Sequence, residues 1–172
     1  MEFLKFKTVL YLLMITSLPV FGQIDQATLE SAFARSYELE KNKDFSSASN
    51  ELIKVYDKSS YEINLRLGWL YYNAGIFEES INYYSRAQQL KPYSEEARFG
   101  LILPKAALGL WDDVIELYNK ILDIHPNNTI AMYRLGMIFY ERKKYDKALS
   151  LFSKVVDLYP FDYDGLLMLA WT

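Results

Sequence analysis

The 172-residue sequence contains no cysteine and a single histidine, His125. Without cysteine, the chain forms no disulfide bond and has no thiol for nucleophilic, redox or metal chemistry. One histidine without a second histidine or a cysteine does not supply the ligands of a typical zinc site. Because His125 directly precedes Pro126, we interpret it as a solvent-facing residue near a helix C-terminus.

Several other patterns that mark reactive or nucleic-acid-binding proteins are also missing. No long run of lysine and arginine occurs, and 22 acidic against 19 basic side chains give a formal net charge of −3. Such a chain is a poor binder of nucleic acid or of an anionic membrane surface. No glycine-rich phosphate loop or serine-nucleophile motif is present. Three adjacent carboxylate pairs stand at predicted helix starts, where acidic side chains favour the helix dipole: Glu78-Glu79, Glu95-Glu96 and Asp112-Asp113. We therefore expect no catalytic activity, no small-molecule cofactor and no bound metal.

The first 22 residues have the three-part layout of a secretory signal peptide. Basic residues come first, then an apolar run over 9–15, then Val20 and Gly22 at the positions that flank a cleavage point before Gln23. The apolar run is shorter than the ~20 residues that span a bilayer. No cysteine follows it, which excludes a bacterial-type lipoprotein. We expect a signal peptide over 1–22 and an exported chain over 23–172, periplasmic or extracellular. The alternative is an uncleaved N-terminal membrane anchor, with membrane contact through this segment alone.

Residues of one kind recur every 34 positions in the rest of the chain. The columns are Leu67, Leu101, Leu135 and Leu169, then Tyr84, Tyr118 and Phe152, then Pro92, Pro126 and Pro160. A fixed period of this length indicates a solenoid of stacked supersecondary units. Apolar residues recur at three- and four-residue steps within each unit, which predicts two amphipathic helices per unit and an all-α fold. Proline ends the second helix of each pair, because it lacks a donor and clashes with the preceding turn.

The predicted helices are 27–42, 46–58, 61–74, 77–90, 95–108, 111–124, 129–142, 145–158 and 163–172. Pro104 falls inside the fifth of these. We interpret it as a kink at the lost backbone bond to Gly100, and the alternative is a groove widened for binding.

The columns resemble the tetratricopeptide repeat, whose first helix carries Leu-Gly and whose second carries Ala-x3-Phe before a closing proline. The unit starting at Thr129 matches most fully, with Leu135-Gly136, Phe139, Ala148, Phe152 and Pro160. The resemblance implies a right-handed superhelix of antiparallel helix pairs over 23–172 that ends in an incomplete repeat. Its units are about 29–60, 61–94, 95–128, 129–162 and the partial 163–172; the first is degenerate and has Arg35-Ser36 where Leu-Gly belongs. Composition and the short leader favour an exported bacterial member.

The same resemblance implies that the first helix of each unit lines a concave face. The positions that would form this aromatic and apolar groove are Leu65, Trp69, Tyr72, Asn73, Phe99, Leu103, Tyr133, Met137, Tyr140 and Trp171. Some family members hold acidic chaperone tails through Lys, Asn and Arg on this face, but Leu65 and Trp69 occupy such positions here. We expect Trp69 and Tyr133 to contribute to binding rather than to packing. The alternative is that a neighbouring segment covers the groove.

Two functions follow as expectations. The first is a non-catalytic protein–protein interaction scaffold of the cell envelope, which binds a protein or peptide segment in the groove. The alternative is an N-terminal solenoid module of a larger enzymatic or signalling protein that continues beyond Thr172. The sequence does not identify the partner, the pathway or the oligomeric state.

Overall fold

The computed structural model describes residues 25–172, so the predicted signal peptide over 1–22 lies outside the described residues. Across the described range the chain forms nine α-helices and no strand, which confirms the all-α prediction. The helices are α1 (Gln26–Lys41), α2 (Phe45–Ile53), α3 (Tyr61–Asn73), α4 (Phe77–Leu90), α5 (Glu95–Ala107), α6 (Trp111–Ile124), α7 (Thr129–Glu141), α8 (Tyr145–Leu158) and α9 (Tyr163–Trp171). Consecutive helices pack on one another, and α3 also contacts α5, so each unit rests on its neighbours as in a solenoid.

One predicted helix end is wrong. The helix expected over 46–58 ends at Ile53. Just beyond it, the Asp57 carboxylate accepts hydrogen bonds from the backbone N–H of Ser59, at 2.8 Å, and from the Ser59 hydroxyl, at 2.7 Å. Aspartate side chains that bond the backbone two residues on stabilise a turn in competition with the helix. The chain therefore leaves the helix early and turns into α3.

The turns between units are fixed by side-chain caps on the first helices. The N-cap side chains, which also recur every 34 positions, are Ser60, Ser94, Asn128 and Asp162. Each accepts a hydrogen bond from the backbone N–H three residues on, which satisfies one of the free donors at the helix start. The second helices α4, α6 and α8 begin without such a cap. In the first unit, Asp44 caps the second helix α2 by accepting from the backbone N–H of Ser47, so the turns within units lack a side-chain cap only from α4 onward.

The turns within units rely instead on backbone conformation. A residue with positive φ stands before each second helix, namely Lys43, Gly75, Gly109 and Lys143. Glycine adopts this left-handed conformation without steric cost, whereas a residue with a Cβ pays for it. Gly75 and Gly109 therefore make this turn without strain, and Lys43 and Lys143 make the same turn in the other two units.

The core follows the predicted columns. Leu67, Leu135 and Phe152 are fully buried, and Tyr84 is buried as well. A Cβ at Gly136 would lie 2.7 Å from Cε1 of Phe152, and one at Gly68 would lie 2.7 Å from Cγ of Tyr84. These glycines are therefore required by the close approach of an aromatic ring. The prolines at 92, 126 and 160 each stand two residues past the end of a second helix.

Candidate functional site

A groove of about 1480 Å³ extends along four helices, α1, α3, α5 and α7, which are the first helices of four successive units. We call it the first-helix groove. Five of the ten residues predicted from the sequence line it: Leu65, Trp69, Phe99, Leu103 and Met137. All five are partly exposed, and Trp69 is the most open of the large side chains among them at 38%. The buried phenols of Tyr84 and Tyr118 lie behind them, and Pro104 is buried inside α5 and does not line the groove.

The other five predicted residues lie outside this groove. Tyr72 packs between Trp69 and Phe77, with ring centroids 6.2 and 5.9 Å away, and Asn73 donates to the backbone carbonyl of Trp69. Tyr140 packs on Tyr145 at 5.4 Å. Trp171 is 63% exposed on α9. The full set of ten as one interaction surface therefore stays a prediction.

Tyr133 also lies outside the groove, where the structure gives it a packing role. Its ring centroid lies 5.8 Å from that of Phe152, and it belongs to the cluster around Ala148 and Phe152. The expectation that Tyr133 has no part in packing is wrong. The reason is that a residue on the flank of α7 is within reach of the large ring that fills the space beside Gly136.

A polar network holds the wall of the groove between α1 and α3. The indole N–H of Trp69 donates to Oε1 of Glu40 at 2.6 Å, and the Arg66 guanidinium forms an ion pair with the other oxygen of the same carboxylate. The hydrogen bond from Arg66 holds the pKa of Glu40 below its usual value. Arg66 also lies 4.0 Å from the ring centroid of Tyr37, a cation–π distance. Trp69 is thereby fixed with its polar edge bonded to α1, so its ring offers the groove an apolar surface.

A second polar group borders the groove near the start of α3. The Tyr61 hydroxyl forms a hydrogen bond with the Ser94 hydroxyl at 2.7 Å and donates to Glu96 at 3.2 Å. The Lys91 ammonium lies 3.8 Å from the Tyr61 ring centroid and 3.1 Å from a carboxylate oxygen of Glu62. Burial raises the pKa of the Tyr61 phenol, which stays neutral. The positive charge of Lys91 is thus already balanced by a carboxylate.

The α7 side of the groove carries a different charge pattern. Arg142 pairs with Asp112 at 2.7 Å. Arg134 lines the groove beside Met137 and makes no ion pair within residues 25–172. Burial raises the pKa of the nearby Tyr118 phenol, and the positive charge of Arg134 opposes that shift. This side of the groove therefore presents a cation next to apolar side chains.

Sequence reasoning missed several groove residues. They are Phe33, Tyr37, Arg66, Trp111 and Arg134, among others. The sequence did carry a signal for two of them, because Arg66 and Arg134 both stand at the sixth position of their units. The unit between them has Gly100 at that position. Phe33 and Tyr37 come from the degenerate first unit, where the phasing of the columns is weakest.

Within the part of the chain that the structure describes, no three His, Cys, Asp or Glu side chains are grouped to hold a metal ion. The adjacent carboxylates at 78–79, 95–96 and 112–113 lie in the first turns of α4, α5 and α6. Over residues 25–172, no helix combines the length and apolarity that a membrane span requires.

Two family models match the chain, both described as tetratricopeptide repeat, over residues 33–95 and 130–162. Together they cover more than half of the sequence. The chain belongs to the tetratricopeptide repeat family. The first match includes much of the degenerate unit, and the second coincides with the unit that carries the fullest motif. A search of curated proteins finds no match.

Solved tetratricopeptide repeat structures share the fold. A tetratricopeptide repeat protein from Parabacteroides merdae superposes with a TM-score of 0.76 at 19% identity, over 83% of this chain and 57% of that protein. YrrB, described as a tetratricopeptide repeat protein with an unusual peptide-binding site, gives 0.67 at 18%, over 83% of this chain and 75% of its own. MamA from Desulfovibrio magneticus RS-1 gives 0.71 at 16%, over 87% and 85%. This chain thus spans little more than half the length of the Parabacteroides protein.

Proposed function

We propose that this tetratricopeptide repeat protein is a non-catalytic scaffold that binds a segment of another protein in the first-helix groove. The observation that carries the proposal is the groove itself, a volume of about 1480 Å³ lined by partly exposed apolar and aromatic side chains from four successive first helices. A concave, mainly apolar surface bordered by charged groups is the usual form of a site that contacts a partner. The peptide-binding site named for YrrB, a protein of the same fold, supports this function.

The groove indicates the kind of segment that fits. Leu65, Phe99, Leu103 and Met137 offer apolar surface along its length. Trp69 adds a ring whose N–H is already bonded to Glu40. Since aromatic anchors at the centre of an interface commonly carry more than 1 kcal/mol each, we expect apolar side chains of the partner to supply most of the affinity.

The test compares two double variants in capture from an extract of the native host. Trp69→Ala with Met137→Ala removes two groove side chains, and Ile76→Ala with Leu149→Ala removes two side chains that do not line the groove and are each 43% exposed. We expect the groove variant to bind the captured partner about 30-fold more weakly, as the loss of roughly 2 kcal/mol implies. The control variant should bind like the wild type.

Thermal melting of both variants separates binding from folding. Each pair removes partly exposed side chains, so both variants should keep the helical content of the wild type. Equal partner recovery from the wild type and from the groove variant would remove the groove as the binding site. A photo-crosslinking residue at Leu103 should then also fail to label the partner.

A location in the cell envelope is part of the proposal, and the sequence of residues 1–22 supports it. If this segment directs export and is cleaved, the protein isolated from its native host begins at Gln23. Mass spectrometry of the intact protein measures this directly. Recovery of protein in the membrane fraction with residues 1–22 still attached would favour the anchored alternative.

The alternative function is that of a solenoid module at the N-terminal end of a longer enzymatic or signalling protein. The specific observation in its favour is that this chain covers only 57% of the Parabacteroides protein it resembles in fold. Sequencing of the transcript past the codon for Thr172 decides between the two, because a stop codon there contradicts the longer protein.

A further inference from the structure

The aromatic column of the repeat changes its chemistry along the chain. Tyr84 and Tyr118 occupy it in the second and third units, and Phe152 occupies it in the fourth. Both tyrosines line the first-helix groove, whereas Phe152 does not. The three rings are otherwise alike, since each is packed between helices with at most 7% of its surface exposed. The column therefore carries a hydroxyl group where its ring reaches the groove, and none where it does not.

The hydroxyl-bearing end of the Tyr84 ring reaches the groove at a glycine. A Cβ built at Gly100 would lie 2.6 Å from Cζ of Tyr84, the carbon that carries the hydroxyl group. Gly100 lines the groove at the sixth position of its unit, where the units on either side have Arg66 and Arg134. The ring thus takes the place of a sixth-position side chain, and its hydroxyl end lies in the floor of the groove.

The hydroxyl groups of Tyr84 and Tyr118 form no hydrogen bond within the part of the chain that the structure describes. Burial raises the pKa of both phenols, so both keep their protons and can donate as well as accept. Neither oxygen is among the fully enclosed, unpartnered polar atoms of residues 25–172, so both stay open to the groove. Because a nearly buried hydroxyl without a partner costs free energy, a ligand gains by bonding to it.

Two hydroxyl groups in the floor favour an extended ligand over a helical one. In a helix the backbone N–H and C=O groups bond to one another, so only side chains face the groove. An extended segment keeps these groups free, and main-chain hydrogen bonds hold peptides in other recognition sites. Its alternate side chains point to opposite sides, where Phe99, Leu103 and Met137 offer apolar contacts.

The charges of the groove indicate one side chain of the segment. Four cations line the groove, and three of them, Arg66, Lys91 and Arg142, are each paired with a carboxylate. The fourth, Arg134, is exposed, lies near the Tyr118 phenol and has no acidic partner among residues 25–172. A carboxylate on the bound segment therefore complements the groove at this point.

We propose that the segment bound in the first-helix groove is extended, that its main chain forms hydrogen bonds with the hydroxyl groups of Tyr84 and Tyr118, and that one of its acidic side chains pairs with Arg134. This inference rests on the proposed function, since it requires that a segment binds in the groove. Packing alone does not account for the two oxygen atoms, because Phe152 fills the same column without one.

The probe for the experiment is a peptide that the protein itself selects. Wild-type protein is used to select from a phage-displayed library of random peptides, and a peptide is kept if the groove variant, Trp69→Ala with Met137→Ala, fails to bind it. The peptide is synthesised with a fluorophore, and fluorescence anisotropy gives its Kd for each protein. A selection in which no peptide depends on the groove contradicts the proposed function, and this inference with it.

The first variant, Tyr84→Phe with Tyr118→Phe, removes two oxygen atoms and nothing else. Binding of the peptide should weaken at least about tenfold, as for the loss of two hydrogen bonds. The variant should fold like the wild type, because the column already accepts phenylalanine at position 152. Tyr83→Phe with Tyr145→Phe is the matched control. Neither of these tyrosines lines the groove, so the control should bind like the wild type.

Replacement of single peptide amides by esters tests whether the main chain is the partner. Each ester removes one N–H donor and weakens one carbonyl acceptor. At a position that contacts a phenol, the ester should weaken binding to the wild type but have little further effect on binding to the Tyr84→Phe, Tyr118→Phe variant. This coupling is measured as a double-mutant cycle. A peptide bound as a helix has no ester position coupled to the phenols.

A second pair of variants tests the charge. Arg134→Gln should weaken binding about fivefold, and one acidic residue of the peptide should lose its effect in this background. Glu141→Gln is the matched control, because Glu141 is also exposed and lines the groove on the same helix. This control should bind the peptide at least as tightly as the wild type.

Two results would overturn the inference and leave the function of the groove intact. One is a groove-dependent peptide that binds the Tyr84→Phe, Tyr118→Phe variant as tightly as the wild type, since water then satisfies the phenols. The other is a groove-dependent peptide that binds Arg134→Gln as tightly as the wild type, since the segment then has no carboxylate at this position.

Discussion

At the scale of single residues, the fit between a glycine and an aromatic ring decides how closely two helices approach. Gly136 and Phe152 form such a pair, with no space between them for an added methyl group. Gly136→Ala should therefore lower the free energy of unfolding by about 1–3 kcal/mol, because the ring must shift within a packed core. Chemical denaturation followed by circular dichroism measures the change.

A double-mutant cycle tests the cause of that loss. Phe152→Leu makes room beside position 136, so Gly136→Ala should cost clearly less in the Phe152→Leu background than in the wild type. If the cost of Gly136→Ala is the same in both backgrounds, contact with Phe152 is not its origin.

Which residues form the core could be predicted from the sequence, whereas which residues line the groove could be predicted only in part. Leu67 and Phe152 belong to columns that recur every 34 positions, which predicts that they are buried, and both are. Position in a unit gives the side of the helix on which a residue stands, but not its neighbours. Tyr133 was therefore misjudged, because its packing depends on Phe152, and the bond from Trp69 to Glu40 joins residues 29 positions apart.

At the scale of helices, the capping column assigns a measurable role to polar residues at the inter-unit turns. The Asn128 side chain accepts a hydrogen bond from the backbone N–H of Ala131 at 2.9 Å. Asn128→Ala should cost about 1 kcal/mol of stability, the usual effect of removing an N-cap. Asn127, which is exposed and caps no helix, is the matched control, and Asn127→Ala should leave the melting temperature nearly unchanged.

The cap and the control are neighbours in sequence, but the Asn128 side chain makes two hydrogen bonds, one of which is the cap. A similar loss in both variants would show that the turn, rather than the cap, is sensitive to substitution. Asn128 also donates to Glu95 of the preceding unit at 3.0 Å, so Asn128→Asp, which keeps the capping oxygen but loses this donor, separates the two contributions.

Helix positions followed from the sequence wherever proline, glycine and amphipathic period agreed. The predicted boundary was wrong at the end of α2. No proline closes that helix, and a hydrogen bond between Asp57 and Ser59 stabilises the turn that follows it. Such a turn depends on one aspartate and one serine, residues that occur equally well inside a predicted helix. The capping column was readable in the sequence, but small polar residues at turns are common enough to be overlooked without their hydrogen bonds.

At the scale of the whole molecule, the solenoid follows from the period, and the groove follows from the stacking. Each of the first four units contributes its first helix to the groove, so the lining residues come from widely separated parts of the sequence, from Phe33 to Arg142. A single period predicts that such a face exists. The charge pattern of the groove depends on which units become neighbours. Glu40 of the first unit neutralises Arg66, whereas Arg134 has no acidic partner among residues 25–172.

The ring of Tyr84 has a mechanical consequence for this stack. It fills the space beside Gly68 in its own unit and beside Gly100 in the next, so neither unit can tilt against the other without displacing a buried ring. The junction between the units over 61–94 and 95–128 is therefore a stiff joint. The next junction has no glycine against Tyr118, and Arg134 stands at the position that matches Gly100. We therefore expect that any bending that widens or narrows the groove is greater at the α7 end than at the Trp69 end.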